Sequence, residues 1–173
     1  TGHRHLDMIR RAVFKCAVAM VNYTLRTNFY VLEKHSIALR LDTAYLETLG
    51  AEFTADLPAE RPFSVTFFFG RHAAGYHIGF SDIARGGWRS IITQTPDDFT
   101  TNTTTLFREV FVLAHTQHLK DKDIYEGGSK LAIVLDAIGL SGKELVTQRL
   151  YKEQFGLINA FLEIFVTGKD GKV

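Results

Sequence analysis

Three short stretches of the 173-residue chain set cations beside residues that leave the backbone open. The first is "DIARGGWR", residues 82–89, where Arg85 precedes Gly86 and Gly87. Paired glycines let a ligand approach the main chain, and a guanidinium can hold a carboxylate through two parallel hydrogen bonds. The same text also fits a hairpin turn with a solvated arginine. The second is "TQHLKDKD", residues 116–123, where Gln117 and Lys120 lie three apart and share a helix face. Lysines also suit the last turn of any helix, because they complement its dipole. The third is "KDIYEGGSK", residues 122–130, which places Lys130 behind Gly127, Gly128 and Ser129 and directly before the apolar run "LAIVLD". A lysine held in a dry cleft beside other cations gives up its proton more readily and can carry protons near neutral pH. A lysine at a strand entrance can equally extend its stem over the surface into water.

Other motifs point to no further chemistry. His115 and His118 are three apart, but no cysteine or further histidine sits at ligand spacing, so no metal site is expected. "EGGSK" lacks the spaced glycine of a phosphate loop, and in "GLSGKE" Lys143 is followed by Glu144 rather than a hydroxyl residue. No Gly-x-Gly-x-x-Gly fingerprint occurs, so no cofactor-binding residue is expected in this chain.

The elements that must position these stretches follow from periodicity. Residues 3–28 carry Leu6, Ile9, Val13, Ala17, Met20, Val21 and Leu25 at helical spacing, which predicts a long amphipathic helix. "SIALRLD", "PFSVTFFFG" and "GYHIGFSD" alternate as strands, and the short break "GRHAAG" predicts that the last two form an antiparallel hairpin. In "VTFFFG" the alternation favours a place in the core over a subunit contact. "WRSIIT" is a fourth strand. A helix is expected after Pro96, with the Thr-rich residues 100–105 poor helix formers that suit a loop. "LAIVLD" predicts a strand buried on both faces, and Ser141 opens a helix to about residue 166. A hairpin, an apolar strand and flanking helices together predict one α/β domain with a mixed sheet over residues 1–173.

A net charge of +1 gives no general pull toward nucleic acid or an anionic membrane. No apolar run reaches the roughly 18 residues of a membrane helix. Cys16 is the single cysteine, which excludes an internal disulfide and suits a reducing, cytoplasmic setting; it reads as a small core residue. A chain that starts at Thr1 and stops at "GKDGKV" reads as part of a longer protein.

In order and spacing, "TNFYVLEKHSIALRLD", "GYHIGFSDIARGGWR" and "HTQHLKDKDIYEGGSK" resemble the large NAD-specific glutamate dehydrogenases, over about residues 6–166. The resemblance implies the N-terminal substrate-binding and oligomerisation domain of an amino-acid dehydrogenase. Its fold would be a mixed-sheet α/β/α sandwich preceded by a long amphipathic helix, with the nucleotide-binding domain outside this chain. Lys130 matches the lysine that activates water against the iminium intermediate. Gln117 and Lys120 match the residues that hold the substrate α-carboxylate. Arg85 matches the cation for the side-chain carboxylate, and Gly86 and Gly87 the glycines along which substrate lies. NAD would serve the full-length enzyme and would not be bound by this part alone, which is expected to be inactive. Implied partners are L-glutamate, 2-oxoglutarate and further copies of the chain, with no nucleic acid and no membrane. Leu131 and Ala132 stand where the small enzymes have glycines, and Asp170 fits the family's catalytic aspartate poorly. A non-catalytic carboxylate-binding or oligomerisation module of the same fold would carry the same cations. Relatives acting on leucine, phenylalanine or valine use an apolar pocket in place of Arg85.

Overall fold

The computed structural model describes residues 2–120 and 122–165. Asp170 therefore lies outside the described residues, as does the expected last helical residue, Val166. Helix α1 (Arg4–Asn22) leads into β1 (Thr24–Thr27), β2 (Ser36–Leu41), a 3-10 turn (Thr43–Thr48) and a single-turn helix α2 (Ala51–Thr54). Strands β3 (Ser64–Gly70), β4 (Ala73–Gly79), β5 (Ala84–Arg85) and β6 (Trp88–Thr93) follow. Helix α3 (Pro96–His118), β7 (Gly127–Asp136) and α4 (Lys143–Phe165) complete the chain.

The strands form one mixed sheet. β1 to β4 pair antiparallel in chain order, and β4 pairs antiparallel with β7. On the other edge of β7 lie β5 and β6, both parallel to it and placed end to end. A parallel return from β6 to β7 needs a crossover, and α3 supplies it. The expected β3–β4 hairpin is present, with Arg71 and His72 at its turn.

Alternation along β7 separates the two sides of the sheet. Ala132 and Val134 pack with Leu106, Val110 and Phe111 of α3. Ile133 and Leu135 pack with Leu157, Ala160 and Ile164 of α4. The result is a three-layer α/β/α sandwich, as expected, with β7 as the strand buried on both faces.

Some local expectations are corrected. The Thr-rich segment is helical and sits inside α3. Hydroxyls of Thr103, Thr104 and Thr105 donate to the carbonyls of Phe99, Thr100 and Thr101 one turn back, which satisfies them within the helix. Burial of Leu106 and Val110 then outweighs threonine's weak propensity. The first helix ends at Asn22 rather than near 28, so Leu25 belongs to a strand. None of the residues of α1 is fully buried; Val13, Phe14 and Val21 are more than 60% exposed, and Cys16 is only half-buried. In β3, Val65 and Phe68 are core residues but Phe69 is exposed, because α3 covers β4 and β7 and leaves that end of the sheet open.

Candidate active site

Two close approaches gather the cation-bearing segments at the start of β7. Gly128 passes under the last turn of α3, where a Cβ would overlap the carbonyl oxygen of Ala114 and the amide nitrogen of His118. Only a glycine lets the strand run this close to the helix backbone. Gly86 presses on the same strand from the edge, where a Cβ would overlap the carbonyl and hydroxyl oxygens of Ser129. Backbone hydrogen bonds fix the register: Gly127 N–H donates to Ile83 at 2.7 Å, Leu131 N–H to Gly87 at 3.3 Å, and Phe80 N–H to Gly128 at 2.8 Å.

That register decides which side chains share a side. Lys130 is in step with Ala132 and Val134, so it faces the α3 layer. A Cβ on Gly87 would lie 3.6 Å from the Lys130 Nζ, so the amino group stands near the glycine pair with room for about one methyl group between them. Arg85 is paired with Gly128 in the parallel ladder and therefore lies on the same side as Lys130. The α3 turn above Gly128 carries half-buried Gln117, and exposed Lys120 lies two residues past the end of the helix. Side chains of Gln117, Lys120 and Lys130 form no hydrogen bond or ion pair with a described residue, so their polar ends remain available. Lys120 also stands at the negative end of the α3 dipole, which stabilises a cation there.

Arg85 has a partner that sequence reasoning missed. Its Nε lies 3.2 Å from Oε2 of Glu126, and Lys122 forms an ion pair with Oε1 of the same carboxylate. The hydrogen bond from Lys122, with the charges of Arg85 and Lys122, holds the Glu126 carboxyl below the usual range against the cost of its burial. The signal was present: Glu126 directly precedes Gly127, and Lys122 lies four residues before it.

His115 and His118 do not join the cationic group. Both imidazoles meet the carboxylate of Glu60, at 3.2 Å and 3.1 Å, and His118 stacks on Phe80. Among the described residues no cluster of three or more metal-ligating side chains occurs.

The enclosed space beside the glycine pair lies on the opposite side of the sheet. A pocket of about 290 Å³ under α4 is bounded by Phe68, His77, Gly86, Gly87, Trp88 and Phe161 among others. Burial holds the His77 imidazole below its ordinary value, which keeps it neutral in these apolar surroundings.

Residues 4–173 match the family model described as bacterial NAD-glutamate dehydrogenase, catalytic domain. The chain belongs to that family. It is similar to glutamate dehydrogenase 2 of Dictyostelium discoideum, with 36% identity over 150 residues, 87% of this chain and 13% of that protein. The NAD-specific glutamate dehydrogenase of Saccharomyces cerevisiae is 39% identical over 112 residues, 65% of this chain and 10% of the other. The NAD-specific glutamate dehydrogenase of Mycobacterium tuberculosis is 31% identical over 123 residues, covering 71% and 7%. The chain thus spans about an eighth or less of these relatives. The matched model is that of a catalytic domain, so this chain is a part of the catalytic region in that family. Among the described residues no helix is long and apolar enough to cross a membrane.

Proposed function

We propose that this chain is the substrate-binding and oligomerisation part of a cytoplasmic NAD-dependent glutamate dehydrogenase, which converts L-glutamate to 2-oxoglutarate and ammonia. One observation carries the reading: Lys130 Nζ stands close to Gly87, 3.6 Å from where a Cβ there would lie, and Arg85 lies on the same side of the sheet two residues before that glycine.

Glutamate brings two carboxylates separated by two methylenes, and this part of the chain offers separated cations. Arg85 receives the side-chain carboxylate. Its contact to Glu126 runs through Nε, so the Nη edge of the fork is the part a second carboxylate meets. Lys120 and Gln117 take the α-carboxylate. Gly86 and Gly87 present a backbone without side chains along which the substrate lies. Lys130 faces the α-carbon, receives a proton from water as the water attacks the iminium carbon, and passes it on as ammonia leaves.

NAD accepts the hydride when bound by the full-length enzyme. No dinucleotide fingerprint lies in this sequence, so the nicotinamide site is assigned to the rest of the parent protein. The chain alone is therefore inactive in this reading. The exposed apolar residues Phe14, Val21 and Phe69 support a homo-oligomeric parent.

Arg85→Met in the intact enzyme tests the assignment. KM for glutamate is expected to rise by roughly tenfold or more, with a gain of activity on an apolar amino acid of similar length. Unchanged preference for glutamate would remove Arg85 from the site.

A further inference from the structure

At the end of the sheet far from Lys130 a second concavity collects positive charge. It opens between the β3–β4 turn, the start of β2 and the middle of α4, with a volume of about 440 Å³. Lys34, Arg71, Arg149 and Lys152 line it, against Glu153 as the single lining carboxylate. Four fixed positive charges around one pocket stand out in a chain whose net charge is only +1.

Internal partners do not neutralise this cluster. Glu153 is buried, and its Oε1 accepts the backbone N–H of His72 at 3.3 Å. No described cation forms an ion pair with it. Arg149 is braced from behind, donating from Nη1 to the carbonyl of Asp136 at 3.0 Å, and Lys34 donates to the carbonyl of Val31 at 2.6 Å. Arg71 and Lys152 are exposed and make no hydrogen bond or ion pair with a described residue. Four cations against one carboxylate leave a net positive charge around the pocket, and a bound anion relieves their mutual repulsion.

The wall adds a second, independent feature. Ser36 is 3% exposed, and its hydroxyl has no hydrogen-bond partner. Buried hydroxyls are rarely left unpaired, and one in a pocket wall can be satisfied by a water or by a bound ligand. Leu140 and Leu145 supply an apolar side to the pocket, and its size falls in the range of small-molecule sites.

We propose that this pocket binds a small phosphorylated metabolite. A phosphate group carries close to two negative charges and three acceptor oxygens, so it can meet several separately mounted cations at once. A single carboxylate meets fewer. The apolar side suits the carbon body of such a ligand. The site is distinct from the region around Lys130: Asp136, whose carbonyl braces Arg149, lies roughly 20 Å further along β7 at about 3.3 Å per residue. The proposal does not depend on the dehydrogenase reading.

Calorimetric titration of the intact protein with inorganic phosphate and with pyrophosphate, at low salt, tests it. Saturable binding is expected, tighter for pyrophosphate. The double variant Arg71→Glu/Lys152→Glu should weaken it by roughly tenfold or more, as expected for losing a charge-assisted contact. Arg11→Glu/Lys15→Glu, the same charge change on exposed α1, should leave binding unchanged, and circular dichroism should show all variants folded. Absence of saturable binding by either anion, or equal binding in the double variant, overturns the proposal. So does binding of an oligoglutamate peptide in place of both phosphates, which would make the pocket a dock for an acidic protein segment.

Discussion

Arg85 and Glu126 are joined beside the start of β7: a guanidinium 73% exposed is held through Nε, at 3.2 Å, by a carboxylate only 4% exposed. Lys122 completes the cluster from the preceding loop. The carboxylate thereby ties β5 to that loop and fixes the base of the cation proposed to meet substrate.

Replacing Glu126 by Gln removes the charge while keeping the shape. Lys122, 13% exposed, then loses its partner, and unpaired cations in such places are costly. The melting temperature should fall by several degrees at neutral pH. The carboxyl is held below its ordinary value of 4.5, so its contribution is fully present above that value and disappears as the pH falls through the lowered one. The gap between the native protein and Glu126→Gln should close in acid. A gap of constant size from neutral pH down to about pH 3 would show that the ion pair is not its cause.

The two neighbouring glycines should respond differently. Gly86→Ala drives a methyl into the backbone of Ser129 and should destabilise the fold by about 1–3 kcal/mol. Gly87→Ala places its methyl at an ordinary 3.6 Å from Lys130 Nζ. It should cost within about 0.5 kcal/mol yet raise KM for glutamate in the intact enzyme by crowding the ammonium. Urea titrations of both variants, beside steady-state kinetics, check this. Equal destabilisation by the two would mean that Gly87 is as confined as Gly86.

His77 sets an acid limb to stability. Burial lowers its value from 6.5, so the folded protein holds it neutral while the unfolded chain takes up a proton below that point. Stability is therefore fully present above 6.5 and is lost as the pH falls from there toward the lowered value. Unfolding free energies at about pH 7.5 and about pH 5.5 should differ more in the native protein than in His77→Phe, which the surrounding Phe68 and Phe161 can accommodate. The same pH dependence in both would exclude His77 as its source.

Much of this arrangement was legible in the sequence, for reasons that differ by element. The β3–β4 hairpin and β7 declared themselves because alternation and an unbroken apolar run report burial directly. The threonines of α3 did not, because their hydroxyl bonds to the preceding turn and the burial of Leu106 depend on the packed helix. Helix α1 was read correctly as amphipathic, but no pattern within it states that its apolar face is left largely uncovered by this chain. Arg85, Gly87 and Lys130 could be nominated from cation-plus-glycine text. Their placement on one side of the sheet came from the parallel registers of β5 and β6 with β7. Glu126 was legible only in part: Lys122 stands four residues before it, but Arg85 reaches it through the parallel pairing of β5 with β7.

Proton transfer by Lys130 is the step on which the proposed function turns. Steady-state kinetics of Lys130→Ala in the intact enzyme, varying glutamate at saturating NAD, test it most directly. kcat is expected to fall by about a hundredfold to ten-thousandfold while KM changes only a few-fold. A variant that keeps its kcat, or whose whole loss lies in KM, would contradict it.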